Sequence, residues 1–318
     1  MWYVGKRIFS GLLTIWLISL IVFFMFQVIP GDPVLSRLGA EEIDQNPQLA
    51  QRMYEEFNLD KPVPERYVAW VSGIVQGDMG TSFKYGGQSV NRLIGDRLDA
   101  TAVLTLLSMV LIVLTSIPLG LFIARHMRKG SGVAYNMISQ LGLAMPTFWV
   151  AILLMYFFSM KLGWFPTRST IDLGRPGQTL RSVVLPVITL SIGNISAVIR
   201  YMVSALTTES VRPYTRVAKA KGLLDNQVQR KHVFRNALIQ VITILSMVFV
   251  GLITGSVLIE NVFNIQGVGA LLINSIRDND YPVVQGVVFY YSVVVVVVNL
   301  ILDFLYRVID PRIDYVAR

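Results

Sequence analysis

Six stretches of the chain contain no Asp, Glu, Lys or Arg and are long enough to cross a bilayer as a helix. A crossing takes about 20 residues, and backbone amides in hydrocarbon must be satisfied within the segment, so each stretch predicts a helix rather than a loop. The fold class predicted is an all-α integral membrane protein with six transmembrane helices. They cover residues 8–30, 101–124, 130–160, 182–199, 236–259 and 281–302.

Basic residues are distributed unevenly between the loops that join these helices. With the N-terminus inside the cell, 15 Lys and Arg fall on the cytoplasmic side and 5 in the short outer loops. Residues 31–100 are not counted, because long loops cross the membrane regardless of their charge. The bias predicts that both termini are cytoplasmic. We therefore interpret the net charge of +8 as a record of orientation and of contact with membrane lipid, not as nucleic-acid binding.

The positions of the helices divide the chain into three parts. Residues 1–30 form the first transmembrane helix, and residues 31–100 form an extracytoplasmic segment with 11 acids against 7 bases. Residues 101–318 form a core domain that holds the other five helices. We expect helices near residues 49–57 and 67–75 in the outer segment, and a short helix over residues 270–276 after Gly267 and Gly269.

Prolines lie inside three of the predicted helices, at Pro118, Pro146 and Pro186. Proline removes a backbone donor and clashes with the preceding turn, so a kink or a locally opened helix is expected at each. The kinks either improve packing only or open a passage, and the sequence leaves both interpretations open.

The chain lacks the residues that an enzyme or an ATPase would need. It has no Cys, and its two histidines, His126 and His232, have no neighbours at metal-ligand spacing. The phosphate-binding pattern GxxxxGK[ST] is absent. The predicted helices carry neutral polar residues where a proton-coupled carrier keeps ionisable ones. We expect no cofactor or metal on this chain and an energy source in a partner, although a sodium site built from carbonyls and amides stays possible.

The densest positive charge lies in residues 212–238, RPYTRVAKAKGLLDNQVQRKHVFRNAL, which contain seven Lys or Arg and one acid. The pattern predicts two short helices, the first ended by Gly222 in a left-handed cap and the second begun by Asp225 as N-cap. Leu223 and Leu224 would then be exposed at the turn. Such a hairpin suits docking to a protein groove or anchoring to anionic lipid.

Several segments of this chain resemble one family of transporters. YTRVAKAKG followed by HVFRNAL is similar to the cytoplasmic coupling loop of bacterial ABC-importer permeases, specifically the oligopeptide, dipeptide and nickel branch. IPGDPV, VLPVITLSI, GSVLIENVFNIQGVGALLINSIRDNDYPVVQG and DFLYRVIDPRI extend the resemblance over nearly the whole chain. Two departures are Arg216-Val217-Ala218 in place of the wider family's Glu-Ala-Ala, and Gln266 where the branch usually has proline.

The resemblance implies a half-channel with the type I ABC-importer permease fold in the bacterial inner membrane. Its partners would be a second homologous permease, two cytoplasmic ATPase subunits that bind ATP and Mg, and an extracytoplasmic solute-binding protein. The loop over residues 211–235 would couple the ATPases to the helices. The coupling residues expected are Tyr214, Arg216, Val217, Ala218, Lys221, Gly222, Leu223, Leu224, Asp225 and His232.

The resemblance also suggests where solute passes and what it is. Candidates for the translocation path or gate are Pro146, Pro186, Asn194, Asn261, Phe263, Gly267 and Gly269. Peptide is the expected cargo, with nickel or a nickel chelate as the alternative. The predicted helices hold no His, Cys or acid for bare Ni²⁺, but a chelate would evade that argument. Two other classes stay open, a stand-alone secondary carrier and a membrane scaffold without transport.

Overall fold

The computed structural model describes residues 2–28, 33–56, 58–127 and 130–309. Within these ranges the regular structure is helical, apart from one isolated bridge between Thr81 and Ser89. Five helices are long and apolar enough to cross a membrane, and one sharply bent pair adds a sixth crossing if it counts as one span. The prediction of an all-helical protein is confirmed.

The helices are labelled α1 to α15 in chain order, and two stretches of π-helix are labelled π1 and π2. Their bounds are α1 Trp2–Val28, α2 Pro33–Leu38, α3 Ala40–Gln45, α4 Pro47–Glu56, α5 Val63–Val75, α6 Val90–His126, α7 Gly130–Ser139, α8 Leu141–Ala144, α9 Thr147–Leu154, π1 Met155–Lys161, α10 Pro176–Ser210, α11 Pro213–Ala220, α12 Asp225–Val228, π2 Gln229–Val233, α13 Phe234–Val262, α14 Val268–Arg277 and α15 Tyr281–Ile309.

The long helices run past the ends predicted for them. α6 has 37 residues, about 55 Å at 1.5 Å per residue, against roughly 30 Å of hydrocarbon. It begins at Val90, not near Thr101. The prediction ended each helix at the first charged residue. A charged side chain has to lie outside the hydrocarbon, but the helix that carries it can continue beyond the membrane.

Of the three prolines, Pro146 interrupts its helix and the other two do not. The two arms Ser131–Ala144 and Thr147–Lys161 meet at 90°. Met145 is extended with ψ 124°, as the residue before a proline prefers, and Pro146 starts the next arm as its N-cap. α6 and α10 continue without a break through Pro118 and Pro186, so the helix is not opened at those two positions and a kink there stays a prediction.

Contacts divide the chain into two compact units. The first contains Met1–Ala100 and Gln266–Leu300, and the second contains Thr101–Ile265 and Ile301–Arg318. Residues that follow span five in sequence therefore pack with the N-terminal part of the chain.

In the first unit, α5 lies against α1 through aromatic side chains. Tyr67 forms a hydrogen bond with Ser19 at 2.9 Å between hydroxyl oxygens, and Phe23 contacts both Tyr67 and Trp70 edge-on or tilted. Trp70 also contacts Phe289 of α15. Helices α2 to α4 form a small core of their own around Val34, Ala50 and Met53.

A buried carboxylate holds the start of α15 in the same unit. The Asp280 side chain is fully buried and accepts hydrogen bonds from Ser82 Oγ, Phe83 N at 3.0 Å and Lys84 N at 3.2 Å. Because Asp280 immediately precedes α15, these bonds fix the turn at residues 82–85 to the beginning of that helix.

In the second unit, α10 is the central helix. It packs against α8, α9 and α13, and 61% of its most apolar stretch is buried. Its charge-free segment is the shortest of the six in the sequence. Small polar residues are tolerated there because most of the stretch is covered by protein. Ser191 and Ser196 satisfy their hydroxyls by donating to the carbonyls of Val187 and Ile192, one turn earlier.

Candidate functional site

A basic helical hairpin, here defined as residues 211–235, connects α10 to α13 in the second unit. Its first arm is α11, and its second arm is α12 with π2. The predicted coupling loop ends at residue 235, but residues 225–262 are helical without a break. A displacement of the turn would therefore act directly on a membrane-spanning helix.

The turn of the hairpin is closed by a glycine cap. Gly222 has φ +83°, its N–H donates to Lys219 O at 2.9 Å, and the N–H of Leu223 donates to Ala218 O at 3.3 Å. This pair of bonds is the Schellman arrangement, which places a left-handed residue directly after the helix. The prediction that Gly222 ends the first arm is confirmed.

The second arm begins one residue earlier than predicted. Asp225 lies in the first turn of α12, so it is not the N-cap. Leu224 takes that position, since Gln227 N and Val228 N donate to its carbonyl at 2.9 and 3.0 Å. Leu224 N donates to Gln227 Oε1 at 3.3 Å, which reproduces half of a capping box.

An ion pair joins the two arms across the turn. Lys219 Nζ lies 2.6 Å from Asp225 Oδ1. Both side chains are exposed, at 41% and 76%, so the pair contributes at most about 1 kcal/mol. The ion pair mainly fixes the orientation of the two arms, because it holds Asp225, the single acid of the hairpin, close to Lys219.

A second polar cluster fixes the base of the hairpin. Tyr214 donates its hydroxyl proton to Glu209 Oε2 at 2.7 Å, and Arg212 Nε lies 3.6 Å from Glu209 Oε1. Burial raises the pKa of the Tyr214 hydroxyl above its ordinary value, so the phenol stays protonated and keeps donating. Sequence reasoning missed Glu209, although its spacing of three from Arg212 was a usable signal.

Apolar packing attaches the hairpin to the ends of the long helices. Ala218, Val228 and Val233 are buried with Met202 and Leu206 of α10 in one cluster. Leu223 packs partly buried against the same cluster. One expectation is therefore corrected, because Leu223 is not exposed at the turn. Ala218, one of the expected coupling residues, points into the core.

The surface that remains at the turn combines one large apolar side chain with positive charge. Leu224 is 70% exposed and Val217 54%. Of the other predicted coupling residues, Tyr214 and His232 are partly buried, and His232 lies in π2. Like Leu224 and Val217, four further predicted coupling residues are exposed, namely Arg216, Lys221, Gly222 and Asp225.

The predicted path residues in the second unit have mixed environments. Pro146 is exposed at the 90° break and Pro186 is buried inside α10. The amides of Asn194 and Asn261 donate to Leu190 O at 2.7 Å and Val257 O at 2.9 Å, one turn earlier. Phe263 is fully buried, and its carbonyl accepts from Ser169 N at 3.1 Å.

In the first unit, Gly267 is the N-cap of α14 and Gly269 lies in its first turn, both buried. The prediction of a short helix after these glycines is confirmed, with bounds Val268–Arg277. The two asparagine amides and the two glycines thus have local structural partners, and a role in translocation stays a prediction.

A buried acid lies near the C-terminal end of a spanning helix, just beyond the charge-free segment predicted for that helix. α13 continues to Val262 and so includes Glu260, which is fully buried. Glu260 Oε1 accepts hydrogen bonds from Thr101 Oγ1 at 2.8 Å and from Ser256 Oγ at 3.0 Å. The prediction had ended this helix at Ile259, one residue too early to include the acid.

Comparison with known proteins identifies the class to which this hairpin and helix arrangement belongs. The family model described as binding-protein-dependent transport system inner membrane component matches residues 116–315, and the model of its N-terminal part matches residues 1–105. The chain therefore belongs to this family, as the resemblance predicted, and is a multi-pass inner-membrane permease subunit and not an enzyme.

Similar proteins extend over the whole length of the chain. The oligopeptide transport system permease protein AppB of Bacillus subtilis is 33% identical over 320 residues, covering 98% of this chain and 99% of AppB. The oligopeptide transport system permease protein OppB of Haemophilus influenzae is 32% identical over 313 residues, covering 98% and 99%.

A solved structure shares the fold. A chain of the MetNI methionine ABC transporter, in an inward-facing conformation, matches with a TM-score of 0.55 at 15% identity, covering 69% of this chain and 96% of that chain. At this identity the match supports the ABC-importer permease fold alone.

Proposed function

We propose that this chain is the transmembrane permease subunit of an ATP-driven importer of oligo- or dipeptides. It pairs with a second homologous permease and receives peptides from an extracytoplasmic solute-binding protein. Two cytoplasmic ATPase subunits bind ATP and Mg and drive transport, and this chain binds no cofactor. The names of AppB and OppB support peptide as the cargo.

The observation that carries the proposal is the basic hairpin. Its turn presents exposed Leu224 among positive charges, and its second arm is continuous with α13. A partner that grips the turn acts on a membrane-spanning helix without an intervening flexible joint. An exposed leucine on a predominantly basic hairpin suits an apolar groove with an acidic rim, and the charges steer the approach.

The proposed topology places this hairpin and both termini in the cytoplasm, with six spans if the bent pair crosses once. Residues 1–30 are then the first span, residues 31–100 the extracytoplasmic segment and residues 101–318 the core permease domain. The positive-inside bias of the loops supports this arrangement.

The test is to replace Leu224 by Asp and measure assembly with the ATPase subunits. A charge at the centre of a docked apolar contact should weaken association by roughly tenfold or more, and peptide-stimulated ATP hydrolysis should fall in parallel. Gly222→Asp should act in the same direction, because it adds a side chain at a positive-φ position.

The matched control is Val75→Asp, which alters a side chain 82% exposed at the end of α5 in the proposed outer segment. It should leave ATPase association unchanged. If Leu224→Asp assembles and couples as well as the unmodified chain, the hairpin is not the coupling element.

Cargo is tested on the solute-binding protein that delivers to this permease. Calorimetry should show binding of short peptides and none of nickel chelates. In the described part of the chain, no group of three or more His, Cys, Asp or Glu is placed to hold a metal ion. Binding of a nickel chelate in place of peptides would overturn the proposed cargo but not the importer.

A further inference from the structure

A cavity of about 480 Å³ opens in the loop between π1 and α10. Three arginines line it, Arg168, Arg175 and Arg181, together with one acid, Asp172. The cavity lies within the second unit and shares no residue with the basic hairpin. It is therefore a separate concentration of positive charge, for which the coupling role offers no explanation.

Reciprocal hydrogen bonds make the walls of this cavity rigid. Ser169 Oγ donates to Ser182 O at 2.7 Å, and Ser182 Oγ donates to Thr170 O at 2.6 Å. Thr179 Oγ1 donates to Asp172 O at 2.7 Å and accepts from Asp172 N at 2.9 Å. Ser169, Thr179 and Ser182 are all buried. The loop is thus fastened to the first turns of α10, and the cavity exists before any partner arrives.

The arginines are held so that they keep donors available. Arg181 donates from Nε and Nη2 to Trp164 O at 3.2 and 3.0 Å, which fixes the plane of its guanidinium. Arg175 Nε lies 3.8 Å from Asp172 Oδ2, with the two side chains 69% and 54% exposed. An ion pair at that distance and exposure is weak, so Arg175 can turn to another acceptor. Asp172 Oδ1 already accepts from Gly174 N at 2.9 Å.

The chemistry of the lining suits a carboxylate. A guanidinium presents parallel N–H donors that match the two oxygens of a carboxylate. Residues 161–181 carry four bases against one acid, so the loop attracts negative charge from a distance.

Because the arginines are exposed, a carboxylate on a protein surface suits the cavity better than one on a small molecule. Exposed ion pairs are worth about 0–1 kcal/mol each, too little to hold a small molecule alone. Exposed charges at the edge of a protein interface instead raise the association rate and fix orientation. The cavity is concave, so it also gives an inserted acidic side chain a defined position.

We propose that this arginine cavity is the docking point for an acidic surface patch of the solute-binding protein. The inference rests on the proposed function, because the topology proposed above places the loop outside the cytoplasm.

The experiment measures binding of the cognate solute-binding protein to the complete transporter in nanodiscs. The double variant R168Q/R175Q should raise the Kd at least tenfold at low salt. Its affinity should also depend less on salt than that of the unmodified complex, because the screened charges are gone. Arg168→Glu should weaken binding further than Arg168→Gln, whereas Arg168→Lys should retain most of it.

Two controls separate docking from other causes. Arg92→Gln removes an exposed arginine at the start of α6, paired with Asp96 at 3.9 Å, and should leave the Kd unchanged. ATP hydrolysis without the binding protein should be the same in all variants, which shows that each is folded. A Kd within twofold of the unmodified value in R168Q/R175Q overturns the proposal, even if uptake of free peptide falls.

A labelling step distinguishes failure of this inference from failure of the proposed function. The chain has no cysteine, so Arg175→Cys is a unique thiol. Reaction with an impermeant maleimide in intact cells supports the topology on which docking depends. Reaction only after permeabilisation would overturn the topology and the docking together, whereas outside labelling with an unchanged Kd would overturn docking alone.

Discussion

At the scale of single residues, the environment of Glu260 limits what can replace it. Its carboxylate is fully buried and takes donors from Thr101 and Ser256. Removing one of these donors leaves a desolvated acceptor with fewer hydrogen bonds, which costs more than the bond itself contributes.

Thr101→Val should therefore destabilise the protein by about 1–3 kcal/mol, since it removes the hydroxyl that donates to Glu260 at nearly constant volume. Thermal denaturation in detergent measures the effect. Thr101→Ser keeps the hydroxyl and should melt close to the unmodified protein. Equal melting of the Val and Ser variants would show that this hydrogen bond does not matter.

Asp280 gives a second prediction, about a different part of the chain. In Asp280→Asn the amide presents an N–H₂ group to donors from Ser82, Phe83 and Lys84. The turn at residues 82–85 should open more often, and trypsin should cleave after Lys84 roughly tenfold faster. Asp278→Asn, at an exposed partner of Lys84, should change cleavage little; similar rates in both variants would refute the role of Asp280.

At the scale of elements, the crossing of α8 and α10 depends on a glycine. A Cβ at Gly142 would meet Ser196 Oγ and would lie 3.0 Å from Ile192 O, a backbone atom that cannot move aside. Gly142→Val should destabilise the protein by about 1–3 kcal/mol. The comparison is Gly251→Val in α13, where a Cβ meets nothing within 4 Å. If both variants melt at the same temperature, the helices do not pack through Gly142.

Which elements could be predicted from sequence depended on whether their cause was local. The apolar runs, the break at Pro146 and the cap at Gly222 follow from a residue and its near neighbours. The central position of α10, the inward packing of Leu223 and the grouping of residues 266–300 with the first unit follow from tertiary contacts. The burial of Glu260 was missed for both reasons, because the predicted helix ended one residue before this acid and its donor Thr101 is distant in sequence.

At the scale of the whole molecule, orientation in the membrane determines which partners each surface can contact. With no natural cysteine, Lys84→Cys and Lys221→Cys each create one thiol at an exposed position. An impermeant maleimide should label Lys84→Cys in intact cells and Lys221→Cys only after permeabilisation. Labelling of Lys221→Cys from outside would invert the topology and remove the hairpin from reach of the ATPases.

The central claim is that this chain is a passive channel driven by attached ATPases. Its most direct test measures peptide accumulation inside sealed vesicles that contain the permease. We predict that the two permease subunits alone equilibrate peptide at most, under any proton or sodium gradient. Addition of the ATPase subunits, the binding protein and ATP should then drive peptide uptake against the peptide concentration gradient. Leu224→Asp should abolish this concentrative uptake. Concentrative uptake by the permeases alone, with an ion gradient and no ATPase, would contradict the account.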